Sequence, residues 1–148
     1  MKNIFHLMFL MFFVSNTYAT DLFMVRSELK FPEAMLSLQQ SIAEHGYKIT
    51  RVQRIDVGLT AKGYKTDKYR VVFLGKANEI QYLIDKYPMM AAYFPPKVSI
   101  FAEGNTTLLV TANPAVYSDF VKDPEDKLLF QRWESDIVSV FKDVREAE

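Results

Sequence analysis

The chain has 148 residues, no cysteine, and 18 Lys and Arg against 18 Asp and Glu, so its formal net charge is zero. This balance disfavours a nucleic-acid-binding protein, which normally carries a clear basic excess. The absence of cysteine excludes disulfide bonds, thiolate nucleophiles and cysteine metal ligands. The length fits one domain, which we expect to be stabilised by side-chain packing alone.

Residues 1–19 have the pattern of a secretory signal peptide. Lys2 precedes an apolar run over residues 4–14, interrupted only by His6, and the small residues Thr17 and Ala19 predict cleavage near Ala19. The run is too short for the ~20 residues that a membrane-spanning helix needs. We therefore expect an exported protein, periplasmic or secreted, that starts near Thr20 and keeps no stable membrane anchor.

The next segment predicts a strand, a helix and a second strand. The strand covers residues 22–28, and Pro32 suits the first position of the helix, where no N–H donor is needed. The helix ends at His45 and Gly46, because glycine readily takes the left-handed conformation that follows many helices. The second strand covers residues 47–55. Apolar side chains recur at helical spacing at Met35, Leu38 and Ile42.

Residues 56–68 are polar and irregular, and we interpret them as a loop. A third strand over residues 69–74 contains adjacent β-branched and aromatic residues, which is typical of a strand buried on both faces. A second helix covers residues 76–87 and is limited by Pro88. An apolar, proline-bounded loop follows over residues 89–96.

Residues 97–103 and 106–112 alternate with period two around Gly104 and Asn105, which predicts a β-hairpin. The order Gly-Asn favours a type II′ turn over type I′. If Ile100 and its alternate neighbours face the helices, Phe101 faces away from them. We place Leu109 on that same outer face, where both side chains would need a partner.

The last helix is predicted to begin at Asp123 and Pro124 and to run to about residue 145. It carries one apolar stripe: Leu129, Trp133, Ile137, Val140, Phe141 and Val144. The stripe must be covered, either within the chain or by a second copy. Our hypothesis is a homodimer with Phe101, Leu109 and Trp133 at its interface, and the alternative is that the last helix folds back over the sheet.

The element order is therefore β-α-β-β-α-β-β-α. It predicts an α+β fold, a two-layer sandwich in which the helices pack on one antiparallel sheet. We expect one domain over residues 20–148, with its core in residues 22–121 and a C-terminal helix over residues 123–145.

The predicted loop and the strand before it carry the candidate ligand-binding residues: Arg51, Arg54, Lys62, Tyr64 and Lys65. Cationic donors beside an aromatic face suit a small anionic ligand. The alternative is a solvated loop with a charged strand edge that discourages aggregation.

Catalytic and metal-binding patterns are weak. His45 lies at a predicted helix end, where it caps more often than it catalyses. Asp56 with Asp67 or Glu103 could form a carboxylate pair, but no spacing supports it. Soft thioethers at Met89 and Met90 could bind Cu(I), although Met more often fills core gaps. The chain has no glycine-rich phosphate loop, so we predict no cofactor.

A set of weak landmarks resembles the DUF302 domain, a family of unknown function, over about residues 22–121. The resemblance implies a small α+β sandwich of the TATA-binding-protein-like type, which is commonly dimeric and occurs in bacteria and archaea. It implies no established catalytic residue. Many relatives look to have cysteine near the positions of Gly75 and Pro96, so a thiol or metal role would not transfer to this chain. The landmarks are Phe31, Ala34, Leu38, Ile42, Gly46, Asp56, Gly63, Pro88, Pro95, Glu103 and Pro114.

Overall fold

The computed structural model describes residues 21–147, which form one five-stranded sheet with helices packed against it. The strand order is β1-β5-β4-β3-β2, and every neighbouring pair is antiparallel. The strands are β1 (Leu22–Ser27), β2 (Lys48–Arg54), β3 (Tyr69–Gly75), β4 (Lys97–Glu103) and β5 (Thr106–Ala112). The helices are α1 (Phe31–Glu44), α2 (Ile55–Ala61), α3 (Ala77–Lys86) and α4 (Pro124–Glu146), and two 3₁₀ segments cover Pro88–Ala92 and Pro114–Phe120.

This architecture confirms the predicted α+β fold and its order of main elements. The finer likeness to the TATA-binding-protein fold stays a prediction. The predicted signal peptide lies outside the described residues. Within residues 21–147, no helix is both long enough and apolar enough to span a bilayer.

The core lies between the sheet and helices α1, α3 and α4. Each helix contributes fully buried side chains, among them Leu38, Leu83 and Phe130. On the sheet they meet alternate residues of the strands, such as Val72 and Ile100. Burying a side chain of this size contributes about 1.5–3 kcal/mol, so these contacts hold the helical layer to one face of the sheet.

Helix α1 ends as its sequence predicts. Gly46 has a φ of +75°, a backbone conformation that other residues adopt only with strain. This allows its N–H to bond to the Ala43 carbonyl and the Tyr47 N–H to bond to the Ile42 carbonyl. These two bonds satisfy carbonyl groups that a helix end leaves open, and they direct the chain into β2.

The β4–β5 hairpin turns at Gly104 and Asn105, as predicted, and its register corrects the position of Leu109. Gly104 has a φ of +62° and Asn105 does not have a positive φ, which fits type II′ and excludes type I′. Glu103 pairs with Thr106, so Ile100 lies opposite Leu109 and both face the core. Leu109 is fully buried, and the prediction that it faces outward is wrong.

The prediction that residues 56–68 form only a loop is also wrong, because α2 occupies Ile55–Ala61. This helix contains Gly58 and buries none of its residues fully, and its apolar pair, Ile55 and Leu59, is only half-buried, so packing and composition stabilise it weakly. Its position beside β3 is supported by an ion pair between Asp56 and Arg70.

Helix α4 is joined to the rest of the molecule by polar contacts along its whole length. It is capped by Asp123, whose side chain accepts from the Glu125 N–H at 3.0 Å. Further along, other elements reach it through hydrogen bonds: Trp133 Nε1 to Glu79 (2.7 Å), Tyr47 Oη to Asp136 (2.8 Å), Ser41 Oγ to Asp143 (2.5 Å) and Ser27 Oγ to the Val144 carbonyl (3.0 Å). These bonds fix the position of α4 over the sheet.

Trp133 is part of this arrangement and is only 1% exposed. Its ring contacts Phe94 and Phe130 edge-on, at centroid distances of 5.7 and 5.6 Å. The prediction that Trp133 lies at a dimer interface is therefore wrong, because α4 folds back and buries its apolar stripe within the chain.

Candidate functional site

The five predicted ligand-binding residues do not converge on one point. Arg51 and Arg54 are three positions apart on β2, opposite Phe73 and Arg70 of β3, so their side chains leave opposite faces of the sheet. Lys62, Tyr64 and Lys65 are exposed residues of the connection from α2 to β3. Binding of an anion there stays a prediction, and its residues do not share one cavity.

The candidate carboxylates are each engaged separately. The Arg70 guanidinium hydrogen-bonds Asp56 and holds the pKa of this carboxyl below its ordinary value. Glu103 pairs with Arg26 at 2.7 Å, and the Asp67 carboxylate accepts from the Lys68 N–H at 2.7 Å. A general acid needs a raised pKa, so Asp56 is poorly suited to that role.

His45 lies beside Ser41 and Asp143, the three residue types of a catalytic triad, but the order of the bonds differs. Ser41 Oγ donates directly to the Asp143 carboxylate at 2.5 Å. His45 Nδ1 lies 2.9 Å from the Ser41 carbonyl and 3.9 Å from Asp143. In a triad the serine proton passes to the imidazole and the carboxylate orients the opposite ring nitrogen. Ser41 is also only 3% exposed, so this cluster joins α1 to α4 and is not arranged for nucleophilic attack.

The thioethers proposed for copper are divided between two environments. Met90 is fully buried in the core, whereas Met89 is 59% exposed. Between residues 21 and 147, no group of three or more His, Cys, Asp or Glu side chains could hold a metal ion. The Met90 position matches the alternative, that methionine fills the core.

One buried carboxylate was not singled out from the sequence. Asp126, in the first turn of α4, is 2% exposed. It accepts from Tyr82 Oη at 3.0 Å and from Tyr87 Oη at 2.7 Å, and its Oδ2 lies 2.8 Å from Lys86 Nζ. Lys86 also bonds Asp123 at 2.9 Å.

Burial alone would raise the pKa of Asp126, but the bonds from Lys86, Tyr87 and Tyr82 outweigh it and hold this pKa below the ordinary value. The hydrogen bond to Asp126 is the main reason why the pKa of Lys86 is raised. In this cluster Asp126 and Lys86 are thus charged, and the hydroxyls of Tyr82 and Tyr87 donate to the carboxylate. The cluster therefore joins α3 to α4 through a carboxylate whose hydrogen-bonding capacity is used within the fold. The positive end of the α4 dipole also stabilises this carboxylate.

The side of the sheet away from the core carries a largely apolar surface, interrupted by Ser99, which we call the open sheet face. Two of its members, Val71 and Leu108, are themselves buried, at 8% and 7% exposed. The strand registers place its members side by side across β1, β5, β4 and β3. None of them belongs to the core cluster. They are Leu22, Met24, Tyr69, Val71, Phe73, Phe101, Leu108 and Val110.

Phe101, the remaining predicted interface residue, lies on this face. Its ring contacts Tyr69 edge-on at a centroid distance of 5.6 Å, and its partner across β5 is Leu108. Towards β1 the surface becomes more accessible, with Leu22 51% and Met24 60% exposed. Leu22 and Met24 are the exposed members of the eight, and neighbouring exposed apolar residues mark interaction sites more often than isolated ones do.

Fold and surface together define a small α+β sandwich whose helices cover one side of an antiparallel sheet. The family model for "Domain of unknown function DUF302" matches residues 23–144, and the chain belongs to this family. The crystal structure of an uncharacterized conserved DUF302 protein from Bacillus stearothermophilus is similar, with a TM-score of 0.75 and 16% identity. The match covers 86% of this chain and 100% of that one. No curated protein matches the chain.

Proposed function

We propose that this protein is a non-catalytic binding module that works as a homodimer, with a second copy of the chain covering the open sheet face. The observation that carries the proposal is the apolar composition of this face outside the core. Phe101, Tyr69 and Met24 belong to the residue types that are enriched at the centres of protein interfaces. Left in water, such a surface is an aggregation hazard.

The distribution of charge favours a second copy as the occupant. Without Lys2, which lies in the proposed leader, 17 Lys and Arg stand against 18 Asp and Glu, a formal net charge of −1, so two copies repel each other only weakly through net charge. Charges of both signs border the apolar residues, including the paired Arg26 and Glu103, which are 2.7 Å apart. In a two-fold symmetric interface the same patch serves both partners, and a border of mixed sign can then be self-complementary.

The test compares Met24→Glu with Leu128→Glu by analytical ultracentrifugation at several concentrations. Both substitutions replace an exposed hydrophobic residue, 60% and 62% exposed respectively, by the same charge. Only Met24 lies on the open sheet face. We expect the wild type to be dimeric at tens of micromolar and Met24→Glu to weaken association by at least about tenfold, because an unpaired carboxylate would be buried.

Leu128→Glu should associate as the wild type does. A wild-type protein that sediments as a monomer at about 100 µM, or equal association of the two variants, would contradict the proposal. Circular dichroism melts of both variants establish that neither effect is a loss of folding.

We also propose that the protein is exported and that its mature form starts near Thr20. The charged start, the short apolar run and the small residues at Thr17 and Ala19 support this proposal. The intact mass of the protein isolated from its host tests it directly. A mass that corresponds to a chain starting at Met1 would contradict it.

A further inference from the structure

A cavity of about 260 Å³ opens where β4 begins and β5 ends, and it is bordered there by the connection before β4 and by the 3₁₀ segment Pro114–Phe120. Its walls are mostly apolar, with Leu74, Val110 and Ile137 among them. An apolar cavity of about 150 Å³ is large enough to admit a benzene ring, so this one has room for a ring with a substituent.

One side chain that lines the cavity, Tyr117 in the segment Pro114–Phe120, has a hydroxyl without a hydrogen-bond partner among the described residues. The residue is only 8% exposed, and its ring is held edge-on against Phe94 and Phe130 at 5.7 Å from each. Its hydroxyl forms no hydrogen bond to any residue in the described part of the chain. Burial raises the pKa of this phenol, which therefore stays a neutral donor.

The Tyr117 hydroxyl is not sealed inside the protein. No completely enclosed side-chain nitrogen or oxygen among residues 21–147 lacks a partner, so this oxygen must reach accessible space. Tyr117 lines the cavity, and so does Tyr93, whose phenol acts electrostatically on that of Tyr117. A buried phenol that opens onto an apolar cavity offers one directed donor to a bound molecule.

Two further donors line the same cavity, and no acidic residue does. Lys97 contributes an ammonium that forms no ion pair with the described residues, and Ser99 contributes a hydroxyl. An apolar wall with a phenol, a hydroxyl and a cation suits a ligand that has an apolar body and an anionic acceptor.

We propose that this cavity binds a small hydrophobic monocarboxylate, whose ring or alkyl body fills the apolar part and whose carboxylate is received by Tyr117 and Lys97. The exposed ring of Tyr93 contacts Tyr117 at a centroid distance of 5.8 Å and Phe120, in a tilted arrangement, at 5.0 Å, which extends the apolar surface outward. All of the donors belong to one chain, but Leu22 and Val110 of the open sheet face also line the cavity. The titrations are therefore made with the Met24→Glu variant as well as with the wild type, so that a second copy on this face does not decide the result.

The test uses the protein isolated from cells that express the complete chain, titrated with benzoate and with benzyl alcohol. These probes share a ring, but only benzoate carries a charge. In ¹H–¹⁵N spectra we expect saturable shifts at the amides of Ser99, Val110 and Thr111, with benzoate binding at least about fivefold more tightly than the alcohol.

Tyr117→Phe removes only the hydroxyl and should weaken benzoate binding by about three- to tenfold. Lys97→Gln should weaken it by about two- to fivefold and reduce its dependence on salt. Lys127→Gln makes the same change of charge at an exposed position outside the cavity and should bind as the wild type does. Ala112→Leu places a larger side chain in the cavity from an exposed position and should abolish binding.

The proposal is overturned if no saturable shift occurs at these amides up to about 20 mM benzoate. It is also overturned if benzoate and benzyl alcohol bind equally, or if Ala112→Leu binds benzoate as the wild type does. If Tyr117→Phe fails to fold, Ala112→Leu decides. Sedimentation of the same samples reports dimerisation separately, so failure of one proposal is distinguishable from failure of the other.

Discussion

The sharpest test of the fold is Asp126→Asn, which changes one charge and almost no volume. The carboxylate accepts from Tyr82 and Tyr87 and pairs with Lys86. An amide keeps one accepting oxygen but turns the other position into a donor, which would face groups that also donate. At least one of the three contacts must be lost, in a position that is 2% exposed.

The magnitude follows from the contacts that are lost. A hydrogen bond to a charged group contributes about 1.5–3 kcal/mol, and a carboxylate in the first turn of a helix adds about 0.3–1 kcal/mol. The expected loss for Asp126→Asn is therefore about 2–4 kcal/mol. For a domain of this size that lowers the melting temperature by about 8–15 °C.

Urea unfolding followed by circular dichroism at several pH values measures this loss and its cause. The hydrogen bonds and the Lys86 ion pair hold the folded-state pKa of Asp126 below its ordinary value. The stabilisation is therefore complete above about pH 4 and disappears as the pH falls through the folded-state value. The difference between wild type and variant should be largest at neutral pH and should shrink below about pH 4.

Asp123→Asn is the matched control. Asp123 is an exposed partner of the same Lys86, and asparagine caps a helix about as well as aspartate does. We expect it to cost less than about 1 kcal/mol. The reasoning is refuted if Asp126→Asn costs no more than Asp123→Asn at neutral pH, or if its cost is the same at pH values above and below 4.

Three further substitutions test individual positions. Leu109→Ala should cost about 2–5 kcal/mol at any protein concentration because Leu109 is fully buried, whereas Leu128→Ala at an exposed site should stay within about 0.5 kcal/mol; chemical denaturation measures both. Gly75→Ala would bring a Cβ to 2.2 Å from Ile80 Cδ1, so the flexible Ile80 side chain must rotate, at about 1–2 kcal/mol by the same measurement. Gly46→Ala at a φ of +75° should cost about 1–2 kcal/mol, and a variant as stable as the wild type would contradict the role of this helix end.

The main elements could be predicted because each carries a local signal. Pro32 and Gly46 mark the two ends of α1, and the capping pair at Asp123 marks the start of α4. Helix α2 could not be predicted in this way, since it has only seven residues, contains Gly58, and carries a single half-buried apolar pair, Ile55 and Leu59, which is too short a pattern to indicate a helix. Its position depends on the Asp56–Arg70 ion pair, which joins residues on different elements.

The error at Leu109 was avoidable from the sequence. Residues 108–110 are all apolar, so alternation alone does not decide which of them faces the core. A two-residue turn at Gly104 and Asn105 does decide it, because it places Ile100 opposite Leu109 on the same face. When apolar residues occupy both sets of alternate positions in a strand, the length of the turn is thus a better guide than hydrophobic alternation to which set faces the core.

Neither the α4 contacts nor the cavity could be predicted from the sequence, since both join residues distant along the chain. Their tyrosines distinguish the two kinds of site. Tyr47, Tyr82 and Tyr87 each donate to an aspartate of α4, so their hydroxyls are satisfied within the fold and contribute stability. Tyr117 is nearly as buried as Tyr47, at 8% against 5% exposed, and has no such acceptor among the described residues. A buried phenol carries a desolvation cost unless it is hydrogen-bonded, and a fold that pairs the other three at α4 leaves this one facing a cavity with room for a ligand.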